Sequence, residues 1–196
     1  MNRRNTVKSL LAAAVIASSF SFPAFAATTV GGVKFEDSVN VAGTELKLYG
    51  AGVRSRTFFK LYVVGLYLPE KIKLADVMTQ QRARRASLVM LRDLTSEQFG
   101  SAFMNGLTEH SDKAESAKIL PQSMKLGAIF AEINVLKKGD TVTMDWVPGE
   151  GTVYHLNGRK IGNVVPDAAF ANAVLHIWLG DKPADGTLKP LMLGEN

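Results

Sequence analysis

The chain has 196 residues, 23 basic against 18 acidic side chains for a formal charge of +5, and no cysteine. The missing thiols exclude disulfides, thiol nucleophiles, iron–sulfur clusters and cysteine-rich zinc sites, so the fold must be held by its core. Three basic residues, Arg3, Arg4 and Lys8, fall in the first eight positions; without them the excess is +2, which gives no support to a nucleic-acid partner.

Met1 to Lys8 is basic, Leu10 to about Phe22 is apolar, and Pro23 precedes Ala24-Phe25-Ala26. A basic start, a short apolar run and an A-x-A site make a secretory signal peptide. The run is shorter than the roughly 20 residues of a spanning helix. Residues 1–26 are therefore expected to be a signal peptide cut after Ala26. Ala27 at the cut, in place of cysteine, speaks against a lipoprotein anchor. Residues 27–196 are expected to form one domain in the periplasm, with no transmembrane segment after cleavage.

Thr44 to Tyr49 alternates as a strand, with Leu46 and Leu48 on one face. Gly50-Ala51-Gly52 reads as a turn. Thr57 to Leu68, dense in aromatic and β-branched residues and ended by Pro69, reads as a second strand. Ser87 to Leu91 is a third. Thr95 and Gln98 have the spacing of a capping box, and Phe99, Ala102, Phe103, Gly106, Leu107 and His110 then share one helical face. A second helix is expected from Pro121 to Leu136, with Met124, Gly127, Ala128, Ala131 and Val135 inward, broken at Gly139-Asp140. Val142, Met144 and Trp146 alternate with Thr141, Thr143 and Asp145 as a half-buried strand. Val153–Leu156 and Lys160–Val164 flank Asn157-Gly158, the strongest short hairpin signal. A last helix starts near Pro166-Asp167, buries Phe170, Ala173, Val174, Ile177 and Trp178, and stops by Gly180. The tail from Pro183 is irregular. This order implies an α+β domain, an antiparallel sheet with helices on one face.

Familiar catalytic patterns are missing. Gly50-Ala51-Gly52 lacks the third glycine and following helix of a dinucleotide site, and there is no G-x-S-x-G or H-E-x-x-H. His110, His155 and His176 are not at ligand spacing to one another, so neither a metal nor a cofactor is expected. Arg82-Ala83-Arg84-Arg85 reads as a solvated loop or strand edge, and Asp145 and Glu150 as exposed polar positions. One constellation remains. Arg54, Arg56, Lys60 and Tyr62 stand an even number of residues apart and fit one strand face. An arginine fork beside a phenol, walled by Phe58, Leu61 and Val63, suits a carboxylate. Composition alone leaves the alternative of a surface arginine and a core tyrosine, and favours it.

Leu48-Tyr49-Gly50-Ala51-Gly52-Val53-Arg54, followed by Lys60-Leu61-Tyr62-Val63-Val64-Gly65-Leu66-Tyr67-Leu68, resembles the signature of the chalcone isomerase-like superfamily. The segment Leu94 to Phe99 opening a helix, and the Asn157-Gly158 hairpin leading to Ala173-Val174-Leu175, are similar too. The resemblance implies an open-faced β-sandwich of α+β class, a large antiparallel sheet covered by helices with the ligand cleft between them. It also implies two branches. Plant isomerases close a flavanone ring by intramolecular oxa-Michael addition; the fatty-acid-binding proteins share the fold without that catalysis.

The arginine that guides substrate in the isomerases corresponds to Arg54. Their threonine on the next strand corresponds to Tyr62 and the tyrosine opening the first helix to Phe99. Their asparagine falls at Gly106, with Asn105 one step away, and the serine or threonine of the last helix at Ile177. The fatty-acid-binding branch pairs its arginine with a tyrosine, as Arg54 and Tyr62 do here. By this resemblance the chain is expected to bind a fatty acid or similar small amphipathic carboxylate. Arg54 and Tyr62 would hold the head group, and Phe99, Phe103 and Leu107 the tail. The alternatives are an intramolecular lyase (isomerase) using Arg54 and Tyr62, and an accessory envelope protein with an empty cleft.

Overall fold

The computed structural model describes residues 27–195 except 71, 80–81 and 110–112. The signal-peptide reading and His110 therefore lie outside the described residues. In chain order, β1 (Ala27–Val30) and β2 (Val33–Glu36) form a hairpin, followed by β3 (Ser38–Val41), β4 (Thr44–Arg56) and β5 (Phe59–Leu68). Next come α1 (Leu74–Thr79), β6 (Arg84–Met90), the short β7 (Leu94–Thr95), α2 (Ser96–Glu109) and α3 (Lys113–Ala131). The chain continues through β8 (Val135–Leu136), β9 (Thr141–Val147), β10 (Gly151–Leu156), β11 (Arg159–Val165), α4 (Ala168–Leu179) and α5 (Leu188–Met192). Seven strands pair in the order β11-β10-β9-β6-β5-β4-β3, every neighbour antiparallel. No helix among the described residues is long and apolar enough to cross a membrane.

The central strand β5 explains the layering. Successive side chains of a strand point to opposite faces. Tyr62, Val64, Leu66 and Leu68 enter the main core beneath the helices, whereas Val63 and Tyr67 enter a smaller core on the other face. Phe35 of β2 caps that smaller core. A strand buried on both faces reads as an unbroken apolar run, which is the pattern of residues 61–68. On the helix side, Phe99 and Phe103 of α2 meet Phe130 of α3 edge-on, with ring centroids 5.0 and 5.8 Å apart. Such pairs add about 1 kcal/mol each beyond area burial.

Local signals hold where they are short-range. Thr95 and Gln98 form the reciprocal box: Gln98 N–H donates to Thr95 Oγ1 at 3.2 Å and Thr95 N–H to Gln98 Oε1 at 3.1 Å. Asp167 caps α4, its carboxylate accepting from Phe170 N–H at 3.0 Å. Asn157 and Gly158 turn the β10–β11 hairpin with φ of +51° and +78°, the pair of positive values that a type I′ turn requires.

Several expectations need correction: β5 starts at Phe59 because Thr57 and Phe58 turn the chain, the second helix ends at Ala131, and the tail contains α5. Gly50-Ala51-Gly52 is not a turn; β4 runs straight through it. A Cβ on Gly50 would stand 2.6 Å from Gly194 N, and one on Gly52 2.6 Å from Leu188 Cδ1. These glycines are present because α5 and the tail cross β4 at backbone distance, a use that turn statistics do not distinguish. The second helix begins at Lys113 rather than Pro121 and buries Ile119, Ser123, Leu126, Ile129 and Phe130. Met124 and Val135 are exposed. The buried stripe keeps three- and four-residue steps but lies one position round the helix from the expected one, so Ala128 and Ala131 are exposed as well.

Asp145 is buried, not exposed, and Arg85 holds it through Nε at 2.5 Å and Nη2 at 2.7 Å. The two residues are directly opposed across β6 and β9, so the antiparallel register supplies the buried carboxylate with its partner. Arg84 is likewise buried rather than in a solvated loop. It donates to Val77 O at 2.9 Å and Asn172 Oδ1 at 2.5 Å and stands over the Trp146 ring. Burial lowers its pKa to about 10, so it remains charged at neutral pH. Glu150 is in the exposed turn, as expected.

A Cβ on Gly65 would come 2.8 Å from Phe35 Cε1. Gly65→Val is expected to displace the β1–β2 hairpin and cost about 1–3 kcal/mol in urea unfolding. An unchanged midpoint contradicts this packing.

Candidate functional site

Strands β4 to β7, helices α2 and α4 and the tail meet around a cavity of about 340 Å³, within the usual range of small-ligand sites, roughly 300–1,000 Å³. Its polar wall belongs to the β4–β5 hairpin. Arg54 and Tyr62 are Cα partners across the two strands and so present side chains on one face. The register shifts immediately after Arg54, a bulge that re-aims side chains. The shift takes Lys60 out of the set: it is exposed and does not line the cavity, whereas Arg56 does.

Of the three expected wall residues, only Leu61 lines the cavity. Phe58 is 93% exposed at the hairpin tip, and Val63 faces the smaller core. Phe99 and Phe103 of α2 line the cavity and are nearly buried. Leu107 is not among the lining residues; it is 1% exposed in the main core, one position round the helix from the cavity-lining Gly106. Gly106, Asn105 and Ile177, positions singled out by the resemblance, all line the cavity.

Two partners were not legible in the sequence. Trp178, placed only in the core, donates its Nε1–H to the Tyr62 hydroxyl at 2.9 Å. An indole is a donor only, so Tyr62 must accept here and its own O–H remains available to another group. Burial raises the Tyr62 pKa, partly offset by the Trp178 hydrogen bond and the Arg54 charge. At neutral pH the phenol therefore keeps its proton and acts as a donor, not a base.

The second partner is Asp185, from the tail. Its Oδ2 lies 3.5 Å from Arg54 Nη1 and accepts from Ser55 N–H at 3.3 Å. Its Oδ1 accepts from Thr187 N–H at 3.0 Å and Thr187 Oγ1 at 2.7 Å. Arg54 Nη1 also donates to the Ser55 carbonyl. Only one nitrogen of the fork is thus held by Ser55 and Asp185. Asp-Gly-Thr in the sequence signals a local Asx-type turn, but nothing in it signals a partner 131 residues away.

Burial alone would raise the Asp185 pKa. The Thr187 hydrogen bonds, the Ser55 N–H and the Arg54 charge outweigh it and hold the carboxyl below its usual value. A depressed folded-state pKa contributes stability above the unfolded value of about 4 and loses it as pH falls through the folded value. Wild-type unfolding free energy is therefore expected to fall more steeply below pH 4 than that of Asp185→Asn. Parallel pH profiles of the two proteins exclude the pairing.

The family model described as chalcone isomerase-like matches residues 27–194. No curated protein matches the chain at significant sequence similarity. Among solved structures, a fatty-acid-binding protein of Arabidopsis thaliana is similar, with a TM-score of 0.65 at 14% identity over 83% of this chain and 92% of that one. The chain therefore belongs to the chalcone isomerase-like family, and the expected α+β fold, a large antiparallel sheet covered by helices, is the one observed.

Proposed function

For a chalcone isomerase-like chain with this cavity, we propose a non-catalytic role: binding a fatty acid or similar small amphipathic carboxylate between sheet and helices. The observation that carries the proposal is the Arg54–Tyr62 pair. The two are opposed on one wall, with Trp178 fixing the phenol as acceptor so that its proton is left for a ligand oxygen. The remaining donors of the Arg54 fork match a carboxylate's two oxygens. Asp185 holds Arg54 while no acid is bound, and the incoming carboxylate takes over that role. Phe99, Phe103 and Leu61 offer the tail an apolar wall. The named function of the Arabidopsis protein is consistent with this reading.

The intramolecular-lyase alternative keeps one supporting observation: Asn105 lines the cavity beside Arg54 and Tyr62. Against it, the lining positions Phe99, Gly106 and Ile177 carry no hydrogen-bonding side chain, so a reacting phenolate lacks groups to orient it. Chalcone turnover no faster than the spontaneous rate, equal in wild type and Arg54→Ala, disposes of it. Turnover above that rate and abolished in Arg54→Ala establishes it.

We further propose export, with residues 1–26 removed. The basic, apolar and A-x-A segments support it. Intact mass of protein from the periplasmic fraction is expected to correspond to a chain starting at Ala27, and an uncut mass refutes cleavage.

Native mass spectrometry of protein purified without detergent is expected to show a co-purifying carboxylic acid, released by organic extraction. Arg54→Ala is expected to weaken acid binding roughly 10- to 100-fold, the worth of a hydrogen bond to a charged group, with the fold intact. Unchanged affinity overturns the head-group assignment.

A further inference from the structure

The tip of the β4–β5 hairpin is not explained by the cavity. Thr57 and Phe58 form its two-residue turn, and Thr57, a β-branched residue, sits at φ +56°. That conformation favours glycine and strains a branched side chain. The strained turn presents Phe58 at 93% exposure and Phe59 at 59%. Two adjacent rings left in water at a protruding tip are not core residues displaced by packing.

Cations outnumber anions around them. Arg56 and Lys60 flank the rings, and Arg92 places its guanidinium 4.8 Å from the Phe59 ring centroid. All three are exposed. Asp93, the neighbouring carboxylate, is bound by the Lys138 N–H at 2.7 Å. A protruding pair of rings offers far less than the roughly 800 Å² per partner of a stable protein interface. Rings within a collar of cations do match the boundary of an anionic bilayer, with apolar acyl chains below and phosphates above.

We propose that this tip docks on an anionic lipid surface. Phe58 and Phe59 enter the headgroup–acyl boundary, and Arg56, Lys60 and Arg92 meet lipid phosphates. Because Arg56 also lines the cavity, docking brings the cavity's polar wall to the membrane. The corollary, that the bound acid is exchanged with the bilayer, rests on the carboxylate-binding reading; the docking itself does not.

The test is flotation of protein expressed from the full 196-residue sequence with two kinds of vesicle: phosphatidylethanolamine–phosphatidylglycerol, and phosphatidylcholine alone. The wild type is expected to float with the anionic vesicles only, and less so as salt rises. Phe58→Ser/Phe59→Ser is expected to lower partitioning about ten-fold, and Lys60→Glu/Arg92→Glu by at least that much at low salt. Both variants should keep the wild-type melting temperature and octanoate affinity measured without vesicles. Arg54→Ala should still float while losing octanoate.

A wild type that stays in solution, or a Phe58→Ser/Phe59→Ser protein that floats equally well, overturns the proposal. So does concentration-dependent self-association that the double variant abolishes without any vesicle binding, which reassigns the tip to a protein contact. Flotation without octanoate binding in the wild type leaves docking standing and removes only the exchange.

Discussion

A close crossing of two backbone segments organises the candidate site. Strand β4 can be crossed by the tail only because Gly50 and Gly52 carry no Cβ; with side chains, the Gly194 amide, the Met192 carbonyl and Leu188 would all be struck. That crossing seats α5, with Leu188 and Met192 buried in the main core. It also fixes the segment preceding α5, from which Pro183 and Ala184 line the cavity and Asp185 meets Arg54. The glycines thus act on the cavity at a distance, by deciding where the last residues of the chain lie.

From that arrangement follows an electrostatic logic. Arg54 is partly buried at the wall of the cleft, where a lone guanidinium is costly and an anion beside it is favoured. Asp185 supplies the anion, but at 3.5 Å and through one nitrogen, a contact loose enough to be shared with or yielded to a ligand carboxylate. Tyr62 is fixed from behind by Trp178 of α4, so strand and helix layers are tied together at a residue of the proposed head-group site. At the positions where the plant isomerases are implied to keep polar side chains, this chain places Phe99, Gly106 and Ile177 on the cavity wall. Those substitutions support the proposed binding role over catalysis.

What could be read in the sequence divides along physical lines. Signals carried within a few residues were legible: the Thr95–Gln98 box, the Asn157-Gly158 hairpin and the Asp167 cap each depend on local backbone groups. The double-faced burial of β5 was visible as an apolar run, and the pairing of Arg54 with Tyr62 followed from the resemblance. Contacts between distant segments were not legible. Asp145 looked like a solvent-facing residue because its partner, Arg85, sits on another strand. Gly50 and Gly52 looked like a turn because the tail that needs them lies some 140 residues later. Leu107 was grouped with the cavity because it shares a helical stripe with Phe103, yet 100° of rotation from Gly106 is enough to bury it in the core. Asp185 and Trp178 carry no local mark of their roles; each becomes part of the site only through tertiary packing.

The central claim is that Arg54 and Tyr62 hold a carboxylate in its charged form. Carbon-13 NMR of a fatty acid labelled at its carboxyl carbon, titrated with pH in the presence of the protein, reads this directly. A guanidinium and a donated phenolic proton both favour the ionised acid, so the bound resonance should titrate below the free acid and revert toward or above it in Arg54→Ala. A bound resonance that titrates like the free acid, or identically in wild type and Arg54→Ala, contradicts the account.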